Sequence, residues 1–176
     1  MFRFLLMTLC FLSLASCSQR SSVEKETLAL KETMESLRDS LSDVDSLSVV
    51  RMQTVLSRHL DTMNSRAFDS ARRDIYIYEG TALDRTAKGL KKFQMGLSFW
   101  KTSLAQAEVR LGRLANDIHT HYVDTTQASK YLQDEKGLLL PLMDQARTKL
   151  SIVRYAEDNT DSLDARMRSI WKEWKK

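Results

Sequence analysis

A heptad spacing of apolar residues runs through almost the whole chain beyond residue 21 and restricts it to one kind of fold. Val23, Leu30, Leu37 and Val44 lie seven apart, with Met34, Leu41 and Val55 on the companion row and Ser48 as a polar gap. Leu90, Leu97, Leu104, Leu111 and Ile118 form a second row, paired with Phe93, Trp100, Ala107, Leu114 and His121. A third runs through Leu132, Leu139, Ala146, Val153, Met167 and Trp174, beside Leu142, Ala156, Leu163 and Ile170, and is broken by Lys149 and Thr160. This period puts each set on one stripe of a helix, whereas a strand would need alternation. Composition agrees. Five Gly and one Pro in 176 residues is about 3% where about 12% is usual, too little for turn-rich β-folds. A lone helix leaves its stripe in water, so three long segments must pack together. The expectation is an all-α fold, a long antiparallel three-helix bundle of coiled-coil character.

Helix limits follow from local chemistry. Ser21 with Glu24 reads as a capping box at the start of the first helix. Beyond Val44 the phase slips, and Val49, Met52, Leu56, Leu60 and Met63 carry the stripe on a shifted face, which predicts a bend or rotation. Residues 61–66, centred on Asn64 and Ser65, read as the first turn. Phe68, Ala71, Ile75, Tyr78 and Ala82 are out of phase with the row that begins at Leu90, which places a break near Gly80. Asp124 followed by Gln127 opens the third helix, and Pro141 just after Gly137 predicts a kink or a helix that starts near Leu140. Gly89 and Gly96, seven apart, fit either close approach by a neighbouring helix or simple tolerance.

The N-terminus has Arg3, apolar-rich residues 4–14 and then small residues, the layout of a secretory signal peptide and too short to span a bilayer as a mature helix. It ends in Leu14-Ala15-Ser16-Cys17, which resembles the lipobox of bacterial lipoproteins. That resemblance implies removal of residues 1–16, acylation of Cys17, a tether over residues 17–22 and a helical bundle domain over residues 23–176. It further implies attachment to the membrane through the lipid on Cys17. Ser18 follows the cysteine where an Asp would mark the inner membrane in that family, so the outer membrane, facing the periplasm, is the implied location. Cys10 leaves with the signal peptide, and the mature chain then has no free thiol.

Motifs for catalysis are absent. There is no Gly-rich phosphate loop, no HExxH and no GxSxG. Of the three histidines, His59, His119 and His121, the last two are two apart and would point to different faces of a helix. Residues 158–164 lack the Gly and Glu that a calcium loop needs. The reading is a non-enzymatic protein without cofactor or metal.

Charge is unevenly placed. With Arg3 removed, 26 basic residues stand against 23 acidic ones, a net of +3. Residues 24–45 hold seven acids and three bases, whereas Arg85, Lys88, Lys91, Lys92 and Lys101 fall in a stretch without an acid. Arg85, Lys88 and Lys92 share a helix face. They pair with the acidic first helix, are simply solvated, or meet an anionic partner: phospholipid, lipopolysaccharide or peptidoglycan carboxylates, not nucleic acid, for an exported chain. The C-terminal Trp171, Lys172, Trp174, Lys175 and Lys176 combine indoles with lysines, a mix favoured at membrane interfaces, although Ile170 and Trp174 also continue the core rows.

The expected role is a lipid-anchored helical spacer or protein-interaction adaptor of the cell envelope, contacting another envelope protein or a second copy of itself. Two other readings stand beside it. The chain resembles the murein lipoprotein family in its lipidated cysteine, its heptads and its terminal Lys176, which implies a peptidoglycan tether through the tail. Alternatively, Met52, Met63, Phe93, Phe99 and Trp100 would form an adaptable surface for lipids or unfolded chains.

Overall fold

The computed structural model describes residues 2–65 and 73–173, with side chains from Ser22 onward except those of residues 73, 75 and 76. They form four helices, α1 (Phe2–Ser42), α2 (Ser46–Asn64), α3 (Arg73–His119) and α4 (Thr125–Glu173), with no strand among the described residues. The all-α expectation holds. No described helix is long and apolar enough to cross a membrane.

Contacts gather the chain into two compact units. The first combines α1 through Ser40 with Trp100–Asp144, and the second combines Leu41–Phe99 with the chain from Gln145 onward. Each unit holds three helical segments, because α3 and α4 contribute to both. In the first, His119 lies 3.4 Å from Glu24 and Arg38 pairs with Glu108, so α1 and α3 run antiparallel. Arg110 meets Glu135 at 2.6 Å across the antiparallel α3 and α4, and Lys136 pairs with Glu26 of α1. In the second, Met63 of α2 reaches Gly80 of α3, and Gly89 of α3 faces Ile152 of α4. Arg166 pairs with Glu79 and His59 with Asp164. Both units are therefore three-helix bundles with an up-down-up order.

The apolar rows close both cores. Val23, Leu30, Met34, Leu37, Leu104, Leu111, Ile118, Leu132, Leu139 and Met143 are buried in the first unit. Val49, Met52, Leu56, Leu83, Leu90, Phe93, Leu150, Val153 and Met167 are buried in the second. Each large apolar side chain contributes about 1.5–3 kcal/mol through its removal from water. Thr160, read from sequence as a gap, belongs to this interior. Its hydroxyl donates to the Ala156 carbonyl at 2.6 Å, and Thr27 and Thr86 use the same bond four residues back at 2.8 and 2.9 Å. A threonine satisfied by its own helix can be buried at little cost.

Several expected boundaries differ. The first helix does not bend after Val44 but stops at Ser42, and α2 begins afresh at Ser46. The Asp45 carboxylate accepts from the Leu47 amide at 2.9 Å and so caps the new helix. The phase slip was the mark of this break. Ser21 is no N-cap, since the backbone of α1 is helical from Phe2 onward. Phe68 and Ala71 lie outside the described residues, and Tyr78 is exposed rather than packed.

Gly80 does not interrupt α3; a Cβ there would come within 3.0 Å of Met63 Cε, so the position serves close packing. Pro141 likewise lies inside an unbroken α4, which starts not near Leu140 but at Thr125, where Asp124 accepts from the Gln127 amide at 2.8 Å. The missing Pro141 amide would have bonded the carbonyl of Gly137. Both residues are exposed, so water can take that carbonyl. Around it Met143 and Leu150 are buried, while Leu142 is only half-buried.

His121 leaves the core row to end α3. It has φ 63°, while Tyr122 N bonds Asp117 O at 2.9 Å and His121 N bonds Ile118 O at 3.3 Å. This is a Schellman closure with histidine in the left-handed position usually taken by Gly or Asn.

Two glycines differ sharply in surroundings. A Cβ on Gly89 would lie 2.7 Å from Ile152 Cγ2, and one on Gly137 meets nothing within 4 Å. Ile152 is β-branched in a helix, so its Cγ2 cannot swing clear. Gly89→Ala is expected to destabilise by about 1 kcal/mol or more despite the better helix propensity of Ala. Gly137→Ala should stabilise by about 0.5–1 kcal/mol. Urea midpoints of the two variants should therefore move in opposite directions.

Candidate functional site

The outward side of α3 carries the cations singled out from sequence. Leu83, Leu90 and Phe93 turn inward, leaving Arg85, Lys88 and Lys92 exposed on the opposite side. Heptad spacing extends this face in both directions. Tyr78, Arg85, Lys92 and Phe99 are seven apart, and Lys88 and Met95 form the row beside them. Tyr78, Met95 and Phe99 are 71%, 70% and 61% exposed.

Lys88 pairs with Asp84 on its own helix at 2.7 Å. Arg85 and Lys92 have no ion-pair partner among the described residues. Three acids of α1 are matched within their own unit: Glu24 with His119, Glu26 with Lys136 and Glu35 with Lys31 at 3.0 Å. The hydrogen bond from Lys31 holds the Glu35 carboxyl below its ordinary range. Of the five residues grouped as an adaptable apolar surface, Met52, Met63, Phe93 and Trp100 are core, and Phe99 alone is exposed. That grouping fails because four of the five lie on the inward rows.

A buried polar chain joins α2 to α4. His59 is 5% exposed. The Trp171 indole Nε1 lies 2.9 Å from His59 Nδ1, and His59 Nε2 lies 2.8 Å from Asp164 Oδ1. An indole N–H only donates. Nδ1 must therefore accept, and the imidazole is the neutral form whose Nε2–H donates to the carboxylate. The rings are 26° from parallel with centroids 6.3 Å apart, an edge-to-edge placement along that hydrogen bond.

Arg168 meets the other Asp164 oxygen at 2.7 Å. Burial pushes the Asp164 carboxyl up, but the hydrogen bonds from His59 and Arg168 outweigh it and hold the group below its ordinary value. Next along α4, Arg166 reaches 2.5 Å from Glu79, whose side chain is 4% exposed.

The sequence held a signal for His59. It falls between Leu56 and Met63 at the helical spacing of the α2 core, so it had to be inside. Trp171, expected at an interface, is half-buried and committed to His59, whereas Lys172 is exposed. Trp174, Lys175 and Lys176 lie outside the described residues, as does the Cys17 side chain.

A cleft of about 250 Å³ opens between α2 and α4 beside this chain. Its walls mix two guanidiniums, Arg51 and Arg168, with the carboxylates of Glu157, Asp161 and Asp164. Both His59 ring nitrogens are engaged, which leaves no lone pair for a substrate proton. Among the described residues no three His, Cys, Asp or Glu side chains converge as metal ligands.

Comparison with protein-family models, with curated proteins and with solved structures gives no match to this chain. The class that the fold defines is architectural: an all-α protein of two three-helix units, one of which exposes a basic and apolar face on α3.

Proposed function

We propose that this protein is a non-enzymatic, lipid-anchored helical spacer or interaction adaptor of the bacterial cell envelope, held at the outer membrane and facing the periplasm. The observation that carries this reading is Leu14-Ala15-Ser16-Cys17, placed after a basic start and an apolar run. Its architecture favours the reading too. Rows of Leu, Met and Ala fill both units, and closed seams of that kind offer display surfaces more readily than enclosed reaction chambers. An exported chain without disulfides must rely on such cores for its stability.

The anchor is tested by expressing the full chain and its Cys17→Ala variant and weighing the purified products. The wild type should fractionate with membranes, begin at residue 17 and carry acyl mass on the cysteine. Cys17→Ala should retain residues 1–16 and show no acyl mass. Wild-type protein recovered with an unmodified Cys17 would overturn the reading. Cross-linking of the acylated form in cells, followed by mass spectrometry, then identifies what the adaptor contacts.

A further inference from the structure

We infer that the outward face of α3 is a second membrane contact, docking on an anionic phospholipid surface through Arg85, Lys88 and Lys92 flanked by Tyr78, Met95 and Phe99. The inference deepens the anchored-adaptor reading by naming what lies against this face, and it rests on that reading only for which membrane is at hand. Three observations combine.

The first is charge. Arg85, Lys88, Lys91, Lys92 and Lys101 occupy a stretch without an acid, and the adjacent Asp84 neutralises Lys88 alone. Such a cluster is drawn to an anionic surface, and salt weakens the attraction.

The second is apolar exposure at the wrong place for a solvated bundle. Met95 and Phe99 project from the side of α3 opposite its buried Leu90 and Phe93, at 70% and 61% exposure. A hydrophilic polyanion would neutralise the cations but leave these two side chains in water. A headgroup layer accepts both, since cations meet phosphates while Met and Phe sink toward the acyl boundary and a tyrosine sits at the interface.

The third is shape. The six residues lie at heptad spacing on one continuous run of helix, about 30 Å long at 1.5 Å per residue. Among the described residues these six side chains are exposed. A convex helical ridge fits a planar, deformable surface, whereas a protein partner would need a groove complementary to it.

Met95 is a native reporter. Met34, Met52, Met63, Met143 and Met167 are all at most 6% exposed, so Met95 is the exposed methionine among those whose side chains are described. The experiment exposes the purified full-length protein to a polar, water-soluble oxidant and follows each methionine by mass spectrometry. It compares detergent, neutral phosphatidylcholine vesicles and vesicles containing phosphatidylglycerol.

Anionic vesicles should slow Met95 oxidation about fivefold or more relative to neutral ones. High salt, Phe99→Ser or the combined Arg85→Gln, Lys88→Gln and Lys92→Gln variant should restore the fast rate, while the buried methionines stay slow throughout. Equal Met95 rates on neutral and anionic vesicles would overturn the proposal, as would protection that survives loss of the charges. Protection already present in detergent would assign the face to a second copy of the chain and overturn it as well. The mass of the same sample reports acylation of Cys17, so failure of the anchor and failure of the docking face are read separately.

Discussion

Arg166→Met is expected to lower stability by about 3 kcal/mol. Arg166 is itself 60% exposed, and a surface arginine would ordinarily be worth little. Its partner changes the outcome. The Glu79 side chain is 4% exposed and sits 2.5 Å from the guanidinium, so deleting the cation leaves a carboxylate in a nearly dry site without its counter-charge. Glu79→Gln should cost less, because an amide carbonyl still accepts from Arg166 and no charge is stranded. The double variant Glu79→Leu with Arg166→Met should recover most of the loss, since a well-packed apolar replacement of a buried pair is often neutral. Urea denaturation of the four proteins completes the cycle. A loss under about 0.5 kcal/mol for Arg166→Met would mean that water reaches Glu79 and solvates it.

How far these residues could be read from sequence depends on whether the signal was periodic. Apolar rows at heptad spacing identified the helices and most of the interior, including Leu90, Leu104, Leu111, Leu132, Leu139 and Val153, because burial of a stripe leaves a repeating trace. Breaks were harder. Asp45, three residues beyond the end of α1, caps α2 through a single local hydrogen bond, while Gly80 and Pro141, the usual helix breakers, sit inside α3 and α4. What decides each case is whether the freed backbone group meets water or a cap, and composition does not record that.

The cations of α3 were legible from the sequence, since a helix face follows from spacing alone. Met95 and Phe99 were not placed with them, although the same arithmetic puts both on that face. Glu79 falls on the backward extension of the Phe93 and Trp100 row, but its charge hid that signal. A glutamate near a helix start reads as solvated, and only the tertiary placement of Arg166 more than eighty residues away makes it a buried ion pair.

Asp164→Ala should destabilise by about 1–3 kcal/mol, through a group other than the one removed. His59 keeps its Nε2–H in the 5%-exposed interior and loses the acceptor 2.8 Å away, while Arg168 is 67% exposed and simply turns to water. Asp164→Asn should lose less, because an amide oxygen can still accept from Nε2–H. The pH dependence has a definite sign. The folded Asp164 carboxyl lies below its ordinary value of 3.8, so the native state holds the charged form more firmly than the unfolded chain does. Its contribution is fully present above that value and disappears as pH falls through the lower folded one. The stability gap between wild type and Asp164→Asn should therefore be constant near neutrality and narrow below about pH 4. A gap that widened with acid would mean that the carboxylate is held less firmly in the folded protein, contrary to the hydrogen bonds from His59 and Arg168. Trp171→Phe separates the two ends of the chain. It removes the donor to Nδ1 but leaves the carboxylate contact, so the acid-dependent gap should persist and the His59 ring should keep its Nε2–H tautomer, read from its nitrogen chemical shifts, because the carboxylate accepts only from a protonated Nε2.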